Sequence, residues 1–130
     1  PRLPDNVARL RQQYRSYRDA LEPLGLQPQV ELRRGTRLHA PFLLPAWCDE
    51  ASRADLVAEL AANGIEARPM FPSQSRLLGL GDPPPVAAQV DRRVLCFPTG
   101  AGLVAPDLGA RVAAVVGEWL AEASPSTLSA

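Results

Sequence analysis

The chain has 130 residues, 46% hydrophobic and 22% charged, which suffices for one domain with a modest core. Fourteen basic and fourteen acidic residues cancel, so we expect neither nucleic acid nor an anionic membrane surface as a partner. No apolar run approaches the roughly 20 residues that span a bilayer, and the N-terminus is not a signal peptide, so a cytoplasmic location is expected.

Lysine is absent, since all fourteen basic residues are arginines, and chemistry that needs a lysine Schiff base is therefore impossible within this chain. Two cysteines, Cys48 and Cys96, are too few and too far apart for a disulfide framework or a zinc site. We expect both to be buried as small hydrophobic side chains. The sequence starts at Pro1 without a methionine, which we interpret as a piece cut from a longer protein.

Residues 3–24 carry the strongest periodic pattern and predict a helix. Their apolar residues recur in steps of three and four, which places them on one helix face. This stripe consists of Leu3, Val7, Leu10, Tyr14, Tyr17, Leu21 and Leu24. Asp5 or Asn6 can cap the start, while Pro23 and Gly25 mark the end. The opposite face is rich in arginine, which could bind phosphate but is typical of a solvated surface. We predict a helix lying across a domain rather than a coiled coil.

Two strands are predicted next. Apolar and charged residues alternate over 30–33, Gly35 supplies a turn, and apolar residues recur at every second position over 38–44. A hairpin is the simplest interpretation. Pro41 and Pro45 have no backbone N–H to donate, so we expect the second strand to lie at a sheet edge or to be bulged where they occur.

A loop over residues 47–51 then leads into a second helix. Ser52 with Asp55 resembles a capping arrangement at its start. Asn63-Gly64 is typical of a helix end, because glycine readily adopts the left-handed conformation that closes a last turn.

Residues 65–76 hold the candidate functional segment. Alternation over 65–70 predicts a strand, which Phe71-Pro72 ends. Ser73 to Arg76 should then form a polar loop just past a strand end, where many proteins present side chains to a ligand. Judged from these residues alone, an edge strand followed by a solvated loop is the favoured interpretation.

The remaining chain contributes three elements and a tail. Pro85 can open a short helix, and residues 94–97 form a short apolar run typical of a central strand that is buried on both faces. Residues 99–102 resemble a phosphate loop only superficially and are predicted to form a turn. Pro106 opens a last helix, and residues 124–130 should be disordered. The stripe of the last helix consists of Leu108, Val112, Val115, Trp119 and Leu120.

This order of elements predicts one α+β domain over residues 1–123, with helices packed on one face of a small, mostly antiparallel sheet. The sequence contains no recognisable motif that combines a nucleophile with a general base, and none that pairs two carboxylates. The residues by themselves therefore predict a small α+β domain with a polar loop at 73–76.

Four motifs in order carry a resemblance to a known family. They are Arg11-x-x-Tyr14-x-x-Tyr17-x-x-x-Leu21, His39-Ala40-Pro41-Phe42, Gly64-Ile65-Glu66-Ala67-Arg68-Pro69-Met70-Phe71-Pro72 and Val94-Leu95-Cys96-Phe97-Pro98-Thr99-Gly100. Together they resemble the C-terminal small domain of the DegT/StrS family, which are pyridoxal-phosphate-dependent aminotransferases of fold type I acting on nucleotide-linked keto sugars. The third motif is the most specific of the four.

The resemblance implies roles for individual residues. In the family, a Gly-Ile-x-x-Arg strand leads into an aromatic-Pro segment and then a Leu-His pair whose histidine reaches the active site. Arg68 and Phe71 match this pattern, whereas Gln74 replaces the leucine and Ser75 the histidine. Serine keeps a hydrogen-bonding group there but cannot act as an acid or base near neutral pH. Arg68 could bind a sugar or phosphate oxygen, although an arginine on a strand more often forms a structural salt bridge.

The resemblance thus implies a substrate-binding set and no catalytic residue in this chain. The set consists of Ser75, Arg68, Phe71, Arg76 and His39. His39 has no second metal-binding group near it in sequence, and a lone histidine beside a strand is more often structural than a ligand.

The cofactor and partners also follow from the resemblance. Pyridoxal 5'-phosphate would be bound mainly by a large domain that this chain lacks, with its reactive lysine located there. Residues 1–24 would form the helix that links the two domains. The expected partners are a nucleotide sugar, an amino donor, the large domain and a second subunit of a homodimer.

Two other hypotheses compete with this one. The first is the small domain of a different fold-type-I pyridoxal enzyme, such as a class V aminotransferase, which lacks the aromatic-Pro segment. The second is a stand-alone α+β binding or regulatory module of ferredoxin-like kind, which the missing lysine suits equally well.

Overall fold

A computed structural model of the protein describes residues 3–28, 43–100 and 107–122 with their side chains, and residues 33–34 and 37–38 by their backbone. The helices are α1 (Leu3–Leu21), α2 (Arg53–Ala62), α3 (Gln74–Leu77), α4 (Pro85–Arg93) and α5 (Leu108–Glu122), with a 3-10 turn at Glu22–Leu24. The strands are β1 (Gln27–Pro28), β2 (Arg33–Arg34), β3 (Arg37–Leu38), β4 (Leu44–Trp47), β5 (Arg68–Pro69) and β6 (Val94–Phe97).

The main sheet is antiparallel and has the strand order β1-β4-β6-β5. β6 lies inside it, with Leu44 opposite Phe97 on one side and Arg68 opposite Cys96 on the other. All four residues of β6 are buried, as the short apolar run predicted. The predicted α+β class with a mostly antiparallel sheet is therefore confirmed.

The predicted hairpin is present as the antiparallel pair of β2 and β3. The placement of Pro45 was predicted wrongly, because β4 lies between β1 and β6 rather than at an edge. The Cys48 amide donates to the Arg93 carbonyl beside β6 at 2.9 Å. Donors alternate in direction along a strand, so the nitrogen of Pro45 faces the β1 side instead. There the described part of β1 ends at Pro28, opposite Ala46, and Pro45 interrupts no described hydrogen bond.

The core lies between one face of this sheet and the helices α1, α2 and α5. Its members are apolar and almost fully enclosed. They include Tyr14, Tyr17, Leu21, Leu44, Leu56, Leu60, Ile65, Leu95, Phe97, Val112 and Val116. The apolar stripe of α5 predicted that Val112 is buried but did not include Val116. The other four residues of that stripe are partly buried and pack against the core.

The stripe of α1 is buried only in its second half. Tyr14, Tyr17 and Leu21 are enclosed, but Leu10 is half-buried and Leu3 is 73% exposed. The helix register is therefore as predicted, whereas the described residues fully enclose only the second half of the stripe. The described helices include none that is both long and apolar enough to cross a membrane.

The start of α2 also differs from the prediction. Ser52 makes no side-chain cap; instead, the Asp49 carboxylate accepts hydrogen bonds from the Ser52 amide at 3.2 Å and from its hydroxyl at 3.1 Å. The helix end is as predicted, with Gly64 at a φ of 71°. Pro85 is the first residue of α4, also as predicted. His39, Pro41 and the tail at 124–130 lie outside the described residues, as do 101–102 of the turn predicted at 99–102.

Candidate functional site

The candidate segment begins on β5, the edge strand beside β6. Ile65 and Ala67 point into the core, while Glu66 and Arg68 are exposed, which confirms the predicted alternation up to this point. Met70 extends the pairing, since its amide donates to the Val94 carbonyl at 3.0 Å. The core therefore fixes the position from which the following residues leave the sheet.

Residues 73–76 were predicted as a loop, and this is wrong. They begin α3, a single helical turn in which the Leu77 amide donates to the Ser73 carbonyl at 3.0 Å. The pairing with β6 ends at Met70, two residues before Pro72, and Gln74, Arg76 and Leu77 are residues that favour a helix. Gly79, with a φ of 66°, follows the turn and permits the chain to reverse.

Asp91 of α4 supports this turn, and the sequence analysis missed it. Its side chain is 3% exposed, and its Oδ1 accepts a hydrogen bond from the Ser73 amide at 2.8 Å. Its Oδ2 lies 3.9 Å from the Arg76 Nε. Nothing local marks Asp91 as buried, because it precedes two arginines at the end of a helix that is exposed on one side.

Both predicted arginines present their charge toward solvent. The Arg68 side chain is 73% exposed and its Nε donates to the Glu66 carboxylate at 3.0 Å, the salt bridge expected of an arginine on a strand. The Arg76 side chain is 57% exposed, and its approach to Asp91 is too long for a hydrogen bond. Both can therefore turn toward an anionic ligand at small cost.

Phe71 and Ser75 complete the predicted set within this segment. Phe71 is 70% exposed, which is unusual for a large aromatic side chain. Ser75 is half-buried, and its carbonyl accepts a hydrogen bond from the Leu80 amide at 2.9 Å. Four of the five predicted residues thus lie on one continuous stretch over 68–76, and the fifth, His39, lies outside the described residues.

Apolar side chains are concentrated on the surface around α3. Five of the six large apolar side chains exposed in the described part of the chain lie between positions 71 and 86. They are Phe71, Leu77, Leu78, Leu80 and Val86. Exposed apolar residues grouped in this way mark a surface that meets another part of a protein or a ligand.

Other chemistry is limited in the described residues. They contain no group of three or more metal-ligating side chains. Burial raises the pKa of the Cys48 thiol to about 11 and also raises the pKa of Cys96, so neither is an activated nucleophile. A broad depression that includes Arg18, Trp47 and Met70 among its lining residues contains none of the five predicted site residues, and we place the site on the segment instead.

Comparison with known proteins assigns the fold. A model of the DegT/DnrJ/EryC1/StrS aminotransferase family matches residues 1–116. Comparison with curated protein sequences gives no significant match. The solved structure of the aminotransferase TlmJ from Streptoalloteichus hindustanus is 22% identical with a TM-score of 0.79, over 92% of this chain and 33% of its own.

Two further solved structures resemble the chain. DesV from S. venezuelae, in complex with a ketimine intermediate, is 25% identical with a TM-score of 0.69, over 87% of this chain and 31% of its own. GDP-4-keto-6-deoxy-D-mannose-3-dehydratase from E. coli, with bound hydrated pyridoxal phosphate, is 19% identical with a TM-score of 0.69. The match covers 88% of this chain and 32% of the dehydratase chain.

The fold is thus one found in aminotransferases and related enzymes. The chain belongs to the DegT/DnrJ/EryC1/StrS aminotransferase family. It spans about a third of the length of the three structures compared. Neither of the two competing hypotheses is favoured by these comparisons.

Proposed function

We propose that this chain is the C-terminal domain of a pyridoxal-phosphate-dependent aminotransferase that converts a nucleotide-linked keto sugar to an amino sugar. The family match over residues 1–116 carries this proposal. The E. coli dehydratase is named for a nucleotide-linked keto sugar and DesV holds a ketimine intermediate, and both resemble this chain over most of its length. The domain would form one wall of the active site.

Pyridoxal phosphate, when bound, supplies the electron sink that transamination needs. The residues of this chain do not fit it as its main site, because the chain has no lysine to form the Schiff base. The lysine would come from a large domain outside this chain. The isolated chain is accordingly expected to be inactive.

The residues of this chain would act on the substrate instead. Arg68 and Arg76 carry exposed guanidinium groups, which bind phosphate or carboxylate oxygens in a bidentate manner. Ser75 offers one hydrogen bond to a sugar hydroxyl or carbonyl. Phe71 offers an exposed ring on which a sugar or base can pack. His39 would contribute from outside the described residues.

The remaining partners are also proposals. An amino donor would regenerate the cofactor, and the full-length protein would be a cytoplasmic homodimer. The exposed apolar side chains between positions 71 and 86, together with the first turns of α1, would be covered by the large domain or by the second subunit.

A direct assay tests the function. Purified full-length protein is incubated with pyridoxal phosphate, glutamate and a panel of nucleotide-linked keto sugars, and products are identified by mass spectrometry. Conversion of one of these sugars to its amino sugar supports the proposal. Transfer from glutamate to small keto acids, with no nucleotide sugar accepted, would overturn it.

The role of Ser75 gives a residue-level prediction. In the full-length enzyme, Ser75→Ala should reduce turnover of the keto sugar up to about tenfold, the value of one hydrogen bond of roughly 0.5–1.5 kcal/mol. The melting temperature should hardly change. Gln12→Ala, at an exposed position of α1, is the control and should alter neither quantity. A loss of stability above about 1 kcal/mol with unchanged turnover would identify Ser75 as a structural residue.

A further inference from the structure

We propose that Asp91 is a positioning residue that holds α3 in the orientation that substrate binding requires. The proposal rests on the proposed function, since it assigns a purpose to the segment that carries Ser75 and Arg76. Asp91 does not belong to that segment. It lies on α4, 15 positions after Arg76 in the sequence.

The contacts of Asp91 reach both ends of the candidate turn. Its Oδ1 accepts the Ser73 amide at 2.8 Å, which fixes the first residue of the turn. Its Oδ2 lies 3.9 Å from the Nε of Arg76, which attracts the guanidinium at the end of the turn. Ser75 lies between these two points, so its position is set from both sides.

The backbone of Asp91 is anchored to elements that pack on the core. The Arg53 Nη1 of α2 donates to the Asp91 carbonyl at 2.6 Å and lies 3.5 Å from the Val94 carbonyl of β6. α4 also runs directly into β6, the interior strand. The carboxylate is therefore attached to the rigid part of the fold, whereas the turn that it contacts lies at the surface.

A structural cap alone would not need this charge. A carboxylate that is 3% exposed carries a large desolvation cost, and its Oδ2 has no hydrogen-bond donor among the described residues. An asparagine oxygen could accept the Ser73 amide without that cost. The only cation that the described structure places within 4 Å of the carboxylate is Arg76, one of the predicted substrate ligands.

The geometry leaves Arg76 able to bind a ligand. Asp91 approaches it through Nε, which leaves the terminal nitrogens available for bidentate contacts with a carboxylate or phosphate. The distance exceeds that of a hydrogen bond, and the side chain is 57% exposed. Asp91 thus restricts the orientations of Arg76 without saturating its donors.

Two substitutions in the full-length protein separate the two contacts. Asp91→Asn keeps an acceptor for the Ser73 amide but removes the charge, whereas Asp91→Ala removes both. Asp49→Ala is the matched control, because Asp49 also accepts a serine amide at the start of a helix, in its case that of Ser52, but is exposed. Each variant is compared with wild type by hydrogen–deuterium exchange of peptides covering residues 71–80 and by kinetics with the nucleotide-linked keto sugar.

We expect Asp91→Ala to accelerate exchange in this peptide about tenfold or more and to raise the KM for the keto sugar by a similar factor, with kcat changed less than about threefold. Asp91→Asn should leave exchange within about threefold of wild type but raise KM by up to about fivefold, as expected from loss of an ion pair in which only the arginine is exposed. Asp49→Ala should change neither measurement. If Asp91→Ala fails to fold, the KM of Asp91→Asn for the keto sugar, compared with that of wild type, tests the proposal.

Two outcomes would overturn the proposal. One is unchanged exchange over residues 71–80 in Asp91→Ala. The other is a KM for the keto sugar in Asp91→Asn that equals the wild-type value, which would leave Asp91 a structural cap. Failure of the proposed function looks different, because wild type would then accept no nucleotide sugar at all. In that case the KM comparison is made with whichever keto substrate the wild type accepts, and the same two outcomes decide it.

Discussion

Tyr17 connects α1 to the interior strand through both parts of its side chain. Its ring stacks on Phe97 with a centroid distance of 5.6 Å, and its hydroxyl donates to the Pro98 carbonyl at 3.1 Å. Burial raises the pKa of this phenol above its ordinary range, so it remains a neutral donor. One turn earlier, the Gln13 amide exchanges hydrogen bonds with the backbone of Gly100 at 3.0 and 3.3 Å.

Substitutions at Tyr17 should separate the two contributions. Tyr17→Phe keeps the ring and should reduce the free energy of unfolding by about 1 kcal/mol, the value of one hydrogen bond. Tyr17→Ala also removes the buried ring and should cost about 3–5 kcal/mol. Urea titrations of the two variants measure both values. Equal losses would mean that the hydroxyl, rather than the stacked ring, carries the contact.

Cys48 should react slowly with alkylating reagents. Burial raises the pKa of its thiol to about 11, and the thiol donates to the Arg93 carbonyl at 3.1 Å. At pH 8 its thiolate fraction should lie about a hundredfold below that of a thiol with the ordinary pKa of about 9. The rate at which iodoacetamide alkylates Cys48 in a Cys96→Ala background measures this thiolate fraction. That rate should rise about tenfold for each pH unit up to roughly pH 10. A pH-independent rate would contradict the assignment.

The two halves of α1 give a prediction at the scale of the element. Leu21→Ala should lower the free energy of unfolding by about 2–5 kcal/mol, because Leu21 is fully enclosed. Leu10→Ala should cost less than about 2 kcal/mol in this 130-residue chain, because Leu10 is half-buried. Denaturant titration compares them. If a large domain covers the first turns, the Leu10→Ala loss should grow in the full-length protein, whereas equal losses here would refute the burial pattern of α1.

Features that depend on neighbouring residues in the sequence were predictable. The left-handed Gly64 after α2, Pro85 as the first residue of α4, and the buried strand over 94–97 follow from backbone conformation or from apolar pattern. The helix register of α1 follows from its apolar spacing in the same way.

Features that depend on distant residues were not predictable. Pro45 is accommodated in an interior strand because its nitrogen faces away from β6 and interrupts no hydrogen bond to that strand. The turn at α3 is capped by Asp91, 18 positions beyond Ser73, and no local pattern announces that contact. Likewise, the sequence pattern of α1 is the same in both halves, but the described residues fully enclose its apolar side chains only in the second half. All five candidate site residues came from the family resemblance, and four of them lie on one segment, which the local pattern alone predicts as an edge strand followed by a solvated loop.

For the whole molecule, the central claim is that this domain supplies one wall of a sugar-binding site through residues 68–76. The chain spans about a third of the length of the structures it resembles, and its exposed apolar side chains are concentrated next to that segment. Exposed apolar side chains beside such a segment are expected of a domain that completes a site together with another part of the protein.

A crystal structure of the full-length protein with the nucleotide-linked amino sugar bound tests this claim most directly. The account predicts that the Ser75 hydroxyl or the Arg76 guanidinium lies within hydrogen-bonding distance of the ligand, about 3.5 Å or less. The Asp91 carboxylate should still accept the Ser73 amide in that complex. A ligand bound at the cofactor with residues 68–76 turned away from it, and no contact from this segment, would contradict the account.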